Sequence, residues 1–170
     1  LSNETAVGDY PIEAVATMAT IAKRIERDYP QKALESHLPS TIPNAISAAV
    51  SSIARQINAA AIIPLTKSGA TAKNVSKFRP ATPVLAVTNE KSVASTLQLV
   101  WGVTPLLIEN QTNTSKTFHD AMTMAKKMNI LKPGDLVVET AGTLSGVSGS
   151  TDLVKVGIVS SEGETESLFI

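Results

Sequence analysis

The chain has 170 residues, of which 43% are hydrophobic and 18% charged, and 15 Lys and Arg residues balance 15 Asp and Glu residues. This composition excludes a disordered chain, and a chain of this length can bury roughly 70% of its unfolded surface without disulfides. Zero net charge and the absence of Cys argue against a nucleic-acid binder, a disulfide scaffold, Cys-ligated metals and thiol catalysis.

The sequence predicts neither a signal peptide nor a membrane span. No basic segment followed by an apolar stretch occurs at the N-terminus. No apolar run approaches the roughly 20 residues that a transmembrane helix needs. We therefore expect a cytoplasmic protein that has no membrane partner and no nucleic-acid partner.

Two helices are predicted in the first third of the chain. Apolar residues recur at helical spacing over residues 12–28, and charged residues occupy the other side. Asp9 and Pro11 stand where such a helix takes its capping residue and its first-turn proline. Residues 31–39 lack a clear period and form a connector, and a second helix is predicted over residues 40–58.

After the second helix, short and nearly continuous apolar runs alternate with amphipathic segments. Such runs are typical of strands buried on both faces, and the alternation indicates βαβ units with right-handed crossovers. The predicted strands are residues 60–65, 84–87, 103–108, 136–138 and 153–159. The last strand follows a Gly/Ser loop without an intervening helix, which favours an antiparallel partner at or near a sheet edge. The predicted fold class is α/β, with a five-stranded, mostly parallel sheet, one antiparallel edge strand and helices on both faces.

The segment after the first predicted strand is the most informative for function. Ligands of open α/β sheets bind where a strand ends and the next helix begins. Hydroxyls, one Lys and one Gly at a helix start predict a cradle for phosphate, although the P-loop and dinucleotide-binding glycine spacings are missing. The alternative is that the hydroxyl side chains only cap a helix. The candidate phosphate-binding residues are Thr66, Lys67, Ser68, Gly69, Ala70 and Thr71.

A second candidate segment is the Gly/Ser-rich loop of residues 142–152, which follows the fourth predicted strand. Its glycines let the backbone approach a ligand closely or move. The loop can therefore close over the same sheet edge as the first segment, and the alternative is a hairpin loop that binds no ligand. The candidate loop residues are Gly142, Gly146, Ser148, Gly149, Ser150 and Thr151.

The sequence contains no constellation typical of a catalytic centre. His37 and His119 have no partner at metal-ligand spacing, so we interpret them as solvated or structural. Asp120, Glu139 and Asp152 are scattered and do not form a carboxylate pair. We therefore predict no catalytic residue and no metal ligand, which disfavours a free-standing small phosphatase or kinase.

The N-terminal residues resemble the pyruvate kinase signature that opens the last helix of the family's catalytic (β/α)8 barrel. The matching stretch runs from Leu1 to Val15, and Asn3 stands where the signature has Gly. Further motifs resemble the family's C-terminal domain, in order up to about residue 159, and the Gly/Ser loop is most similar to bacterial members. These motifs are Leu65-Thr66-Lys67-Ser68-Gly69, Phe78-Arg79-Pro80, Ala86-Val87-Thr88, Trp101-Gly102-Val103, Lys132-Pro133-Gly134-Asp135 and Gly149-Ser150-Thr151-Asp152.

This resemblance implies a fragment of a bacterial pyruvate kinase with three parts. Residues 1–36 would be the last barrel helix and a connector, residues 37–159 the C-terminal α/β domain, and residues 160–170 a tail or a linker to a further domain. The family's catalytic Lys, its phosphate-binding Arg and its Mg²⁺ and K⁺ ligands lie upstream in the barrel. The fragment is therefore expected to be inactive and to hold no cofactor, whereas the whole enzyme would use Mg²⁺ and K⁺ to transfer phosphate from phosphoenolpyruvate to ADP in glycolysis.

The resemblance also implies a regulatory role. The α/β domain would bind an allosteric effector, contact its own barrel domain and assemble a homotetramer, with residues 66–71 holding the effector phosphate and residues 142–152 folding over it. Members activated by fructose 1,6-bisphosphate bind the second phosphate with an aromatic residue and an Arg, where this sequence has Asn110 and Thr117. A monophosphate such as AMP or a pentose phosphate is therefore the preferred effector. The alternative is a purely structural oligomerisation module that binds no metabolite.

Overall fold

The structure is a computed structural model that describes residues 2–28, 41–108, 113–142, 151–161 and 165–167. Its contacts divide the chain into two compact units, Leu1–Lys32 and Ala33–Ile170. The predicted boundary between residues 36 and 37 lies outside the described residues and stays a prediction.

The described residues of the first unit form two helices, α1 (Asn3–Ala6) and α2 (Pro11–Asp28). The helix predicted over residues 12–28 is confirmed, and it starts at the proline whose fixed φ suits the first helical turn. An apolar face of α2 is exposed, and it comprises Ile12, Val15, Met18, Ile21 and Ile25.

The second unit is built on one sheet. Its strands are β1 (Ala61–Pro64), β2 (Val84–Thr88), β3 (Val103–Leu107), β4 (Leu136–Gly142), β5 (Thr151–Val159) and β6 (Thr165–Ser167). Their order is β3-β2-β1-β4-β5-β6, with parallel pairing from β3 to β4 and antiparallel pairing of β5 with both of its neighbours. The five predicted strands and the mostly parallel sheet are confirmed. The antiparallel part contains two strands, because β6, whose polar sequence shows no apolar pattern, forms the edge next to β5.

In the described part of this unit, four helices cover the two faces of the sheet. They are α3 (Ile42–Gln56), α4 (Ala70–Lys77), α5 (Lys91–Leu97) and α6 (Thr114–Lys127). The buried residues of α3, α4 and α5 share one core with Ile62, whereas Phe118 and Met122 of α6 share the other with Ala61 and Ile63. Successive residues of β1 thus point to opposite faces, which explains why its sequence is apolar throughout.

Side-chain caps begin two of these helices. The Thr41 hydroxyl accepts a hydrogen bond of 3.4 Å from the N–H of Asn44 at the start of α3. The Asn113 side chain accepts a shorter bond of 2.7 Å from the N–H of Lys116 at the start of α6. Each cap pairs a backbone donor that has no partner within the helix.

The strand order reverses between β1 and β4. The chain runs from β1 through β2 to β3, where Pro105 lies opposite Ala86, and then returns along α6 to the other side of β1. The carboxyl ends of β1 and β4 meet at this point, where Pro64 is opposite Thr140 and the Leu65 N–H donates to the Thr140 carbonyl over 2.9 Å. In doubly wound sheets this reversal marks the ligand-binding crevice.

One charged pair lies in the sheet beside this crevice. Glu139 of β4 is 0% exposed and its Oε2 lies 3.3 Å from Nζ of Lys155, the opposite residue on β5. The contact is an ion pair rather than an aligned hydrogen bond. A buried carboxylate of this kind depends on its cation, because an uncompensated charge is costly in the interior.

Candidate functional site

The predicted phosphate cradle forms the turn between β1 and α4. Thr66 continues the strand direction, and its N–H donates to the carbonyl of Val87 at the end of β2 over 2.9 Å. Gly69 is the N-cap of α4 and has φ +83°, a left-handed conformation that glycine adopts at little cost. A Cβ at this position would lie 3.3 Å from Leu97 Cδ2 and 3.4 Å from Val93 Cγ1 of α5. The turn therefore needs glycine both for its backbone angle and for its close approach to α5.

The first turn of α4 presents backbone donors to the crevice. Its first intrahelical bond runs from the Lys73 N–H to the Gly69 carbonyl over 3.0 Å. The preceding N–H groups of Ala70, Thr71 and Ala72 have no carbonyl within the helix to bond. The N-cap is Gly69, which offers no side chain, rather than one of the predicted hydroxyl residues. An anion can therefore take the place of a capping side chain.

Two threonines of this turn are buried. Thr66 and Thr71 are 7% and 6% exposed. The Thr71 hydroxyl lies 2.9 Å from the hydroxyl of Thr151, which is 2% exposed and begins β5. The structure thus brings together one residue from each predicted segment, although they are 80 positions apart.

The remaining predicted site residues differ in placement. Lys67 and Ser68 are exposed, and Ala70 is half-buried. Gly142 is also half-buried, and it pairs with Thr151 where the register of β4 and β5 shifts. The predicted loop residues outside the described part of the chain are Gly146, Ser148, Gly149 and Ser150.

A shallow groove beside the cradle was not anticipated from the sequence. It measures about 150 Å³ and lies where α4 approaches α5. Gly69 and Leu97 contribute to its apolar lining, and Lys73, Ser92 and Thr96 to its polar lining. The helical spacing of Ser92 and Thr96 was the available signal, but such residues are also typical of a solvated helix face.

Several residues were predicted to have no role in the cradle. His119 and Asp120 are half-buried on α6, and His37 and Asn110 are outside the described ranges. The buried Thr117 hydroxyl donates to the Asn113 carbonyl over 2.8 Å. Within the described ranges no three His, Asp or Glu side chains are grouped so as to hold a metal ion, and no helix is long and apolar enough to cross a membrane.

The α/β unit matches a known protein family. Residues 44–157 match the family model described as pyruvate kinase, alpha/beta domain. The chain belongs to the pyruvate kinase family. The resemblance noted in the motifs is thereby confirmed, and the strand–helix region is the family's α/β domain.

Individual pyruvate kinases match nearly the whole chain. Pyruvate kinase 2 of Synechocystis sp. is 57% identical over 159 residues, which is 94% of this chain and 27% of that protein. Pyruvate kinase of Geobacillus stearothermophilus is 42% identical over 166 residues, or 94% of this chain and 28% of that protein. A crystal structure of a pyruvate kinase from Cryptosporidium parvum superposes with a TM-score of 0.83 at 27% identity, covering 93% of this chain and 32% of that one. The chain thus spans little more than a quarter of the length of these curated relatives.

Proposed function

We propose that this pyruvate kinase chain is the effector-binding and assembly part of an enzyme that transfers phosphate from phosphoenolpyruvate to ADP. The observation that carries the proposal is the meeting of the cradle, residues 66–71, with Thr151 at the carboxyl ends of β1 and β4. Clefts at such a reversal of strand order are where doubly wound sheets bind ligands. The effector is a phosphorylated metabolite.

The chemistry of the cradle suits a phosphate group. The N–H groups of the first turn of α4 and the Thr66 and Thr71 hydroxyls are donors, and the helix dipole adds partial positive charge. Exposed Lys67 supplies a cation at the rim. Three or four charge-assisted hydrogen bonds of roughly 1.5–3 kcal/mol each, less the cost of ordering the ligand, correspond to an affinity between about 1 μM and 1 mM.

The effector is a monophosphate, such as a pentose phosphate or AMP. Fructose 1,6-bisphosphate would need a second cationic site near the start of α6. Thr117 stands there, and its hydroxyl is engaged by the Asn113 carbonyl. Thr117 is neutral, and its hydroxyl hydrogen is already bonded, so it does not substitute for the Arg that binds a second phosphate.

The rest of the reaction machinery belongs to the remainder of the enzyme. The catalytic Lys, the phosphate-binding Arg and the Mg²⁺ and K⁺ ligands lie in the barrel domain, and no step of the transfer is assigned to this chain. The exposed apolar face of α2 supports packing of this helix into the rest of that barrel. The α/β unit takes part in a homotetramer in the cytoplasm.

Calorimetric titration of the chain tests effector binding. Ribose 5-phosphate, AMP, fructose 1,6-bisphosphate and orthophosphate are compared on the wild type and on Lys67→Glu, with Lys77→Glu at the other end of α4 as the matched control. We expect a monophosphate to bind, about tenfold or greater weakening by Lys67→Glu and little change in the control.

Three outcomes would contradict parts of the proposal. Absence of binding by every phosphate compound would favour the purely structural module. Equal binding by wild type and Lys67→Glu would place the ligand away from the cradle. Much tighter binding of fructose 1,6-bisphosphate than of ribose 5-phosphate or AMP would overturn the choice of a monophosphate.

A further inference from the structure

The hydrogen bond between the Thr71 and Thr151 hydroxyls can run in either direction. The two hydroxyl oxygens are 2.9 Å apart and both side chains are buried, so each is the other's hydrogen-bond partner. A hydroxyl carries one hydrogen and two lone pairs. Either hydroxyl can therefore donate to the other as long as no third group competes.

A phosphate in the cradle removes this freedom. Phosphate oxygens accept hydrogen bonds, so Thr71 can bond the ligand only by donating its single hydrogen to it. The Thr71 oxygen can then only accept from Thr151. The arrangement becomes a chain in which Thr151 donates to Thr71 and Thr71 donates to phosphate, and each bond polarises the next.

We infer that Thr151 is a positioning residue for the effector phosphate, acting through Thr71 without touching the ligand. The inference rests on the proposed phosphate site. It assigns Thr71 as the donor to a phosphate oxygen and Thr151 as the donor to Thr71.

The strands hold Thr151 in place without help from a ligand. Thr151 begins β5 opposite Gly142, and two positions along β5 the Leu153 carbonyl accepts a 2.8 Å bond from the Thr140 hydroxyl of β4. A donor already placed by strand pairing needs less ordering when the ligand arrives. Lys67, in contrast, is exposed, and its side chain must be ordered to bind.

Substitutions at Thr151 separate its hydroxyl from its shape. Thr151→Val removes the hydroxyl and keeps the volume, whereas Thr151→Ser keeps the hydroxyl and removes the methyl group. With ribose 5-phosphate and orthophosphate as probes, we expect about tenfold weaker binding for Thr151→Val and less than about threefold for Thr151→Ser. In a Thr71→Val background, adding Thr151→Val should change binding no further, because the Thr71 hydroxyl through which Thr151 acts is already absent.

Several results would overturn the inference. Wild-type affinity in Thr151→Val with weakened binding in Thr71→Val would reject the role of Thr151 and leave the phosphate site standing. Equal losses in Thr151→Val and Thr151→Ser would indicate a packing role, and a further loss in the double variant would indicate direct contact with the ligand. If the wild type binds neither probe, the proposed site itself is rejected.

Urea unfolding followed by Trp101 fluorescence checks that each variant folds. Thr151→Ala replaces Thr151→Val if Thr151→Val does not fold.

Discussion

Replacing Gly69 with alanine is expected to destabilise the α/β unit by about 2 kcal/mol, through two separable effects. The first is backbone strain, because φ at Gly69 is +83° and an L-residue there costs about 1–2 kcal/mol. The lower entropy of alanine in the unfolded chain offsets about 0.4–1 kcal/mol of this. The second is crowding, since the new Cβ would lie 3.3 Å from Leu97 Cδ2 in a packed contact. Overpacking of one methyl group typically adds about 1 kcal/mol or more.

Gly102 provides a matched control for the crowding. Its φ is +68°, and a Cβ at this position would meet no atom of a non-neighbouring residue within 4 Å, so Gly102→Ala carries backbone strain alone. We expect a loss of about 1 kcal/mol or less for this variant. The difference between the two variants therefore measures the contact of the cradle with α5.

Equilibrium unfolding in urea measures both variants. The chain has one tryptophan, and Trp101 lies in the α/β unit with the Arg79 guanidinium 4.8 Å above its ring, so its fluorescence reports on this unit. Equal losses for Gly69→Ala and Gly102→Ala would show that the cradle tolerates a methyl group against Leu97. That result would refute the requirement for close packing at Gly69.

Two further features, the buried ion pair and the helix caps, are probed by substitution with the same urea measurement. Lys155→Met removes the cation 3.3 Å from the buried Glu139 carboxylate and should cost about 2 kcal/mol. The cost is less than for a fully buried pair because the Lys155 side chain is 36% exposed. Adding Glu139→Gln should recover most of this loss, and a double variant no more stable than Lys155→Met would contradict the assignment. Asn113→Ala should cost about 1 kcal/mol and Thr41→Ala less. The reason is that the Asn113 cap is bonded at 2.7 Å, whereas the Thr41 cap is bonded at 3.4 Å. The reverse ranking would show that bond length does not govern these caps.

Much of the fold could be predicted from the sequence because the local signals agree with the tertiary structure. The apolar run at residues 60–65 becomes β1, whose residues are all buried, as expected for a strand covered on both faces. The lack of a helical pattern in the sequence between the fourth and fifth predicted strands correctly indicated antiparallel pairing of β4 and β5. The short strand β6 has the polar sequence Thr-Glu-Ser and depends on backbone pairing with β5, which no local pattern encodes.

The candidate site was only partly predictable for a different reason. Residues 66–71 stand out because hydroxyls, Gly and Lys cluster where a strand gives way to a helix. The partnership of Thr71 with Thr151 arises from the pairing of β1 with β4 and of β4 with β5. Sequence spacing cannot reveal a contact that two successive strand pairings create.

Pro105 lies on β3, at the end of the strand order, and makes this edge less able to pair with another chain. The Ile108 N–H bonds the Thr88 carbonyl of β2, so by alternation along β3 the backbone nitrogen of Pro105 points away from β2. A strand edge with continuous free N–H groups can recruit another chain and seed aggregates, and proline removes one such donor in the middle of this edge. Pro105 therefore costs the sheet no internal hydrogen bond while it interrupts the template that an aggregating strand would need.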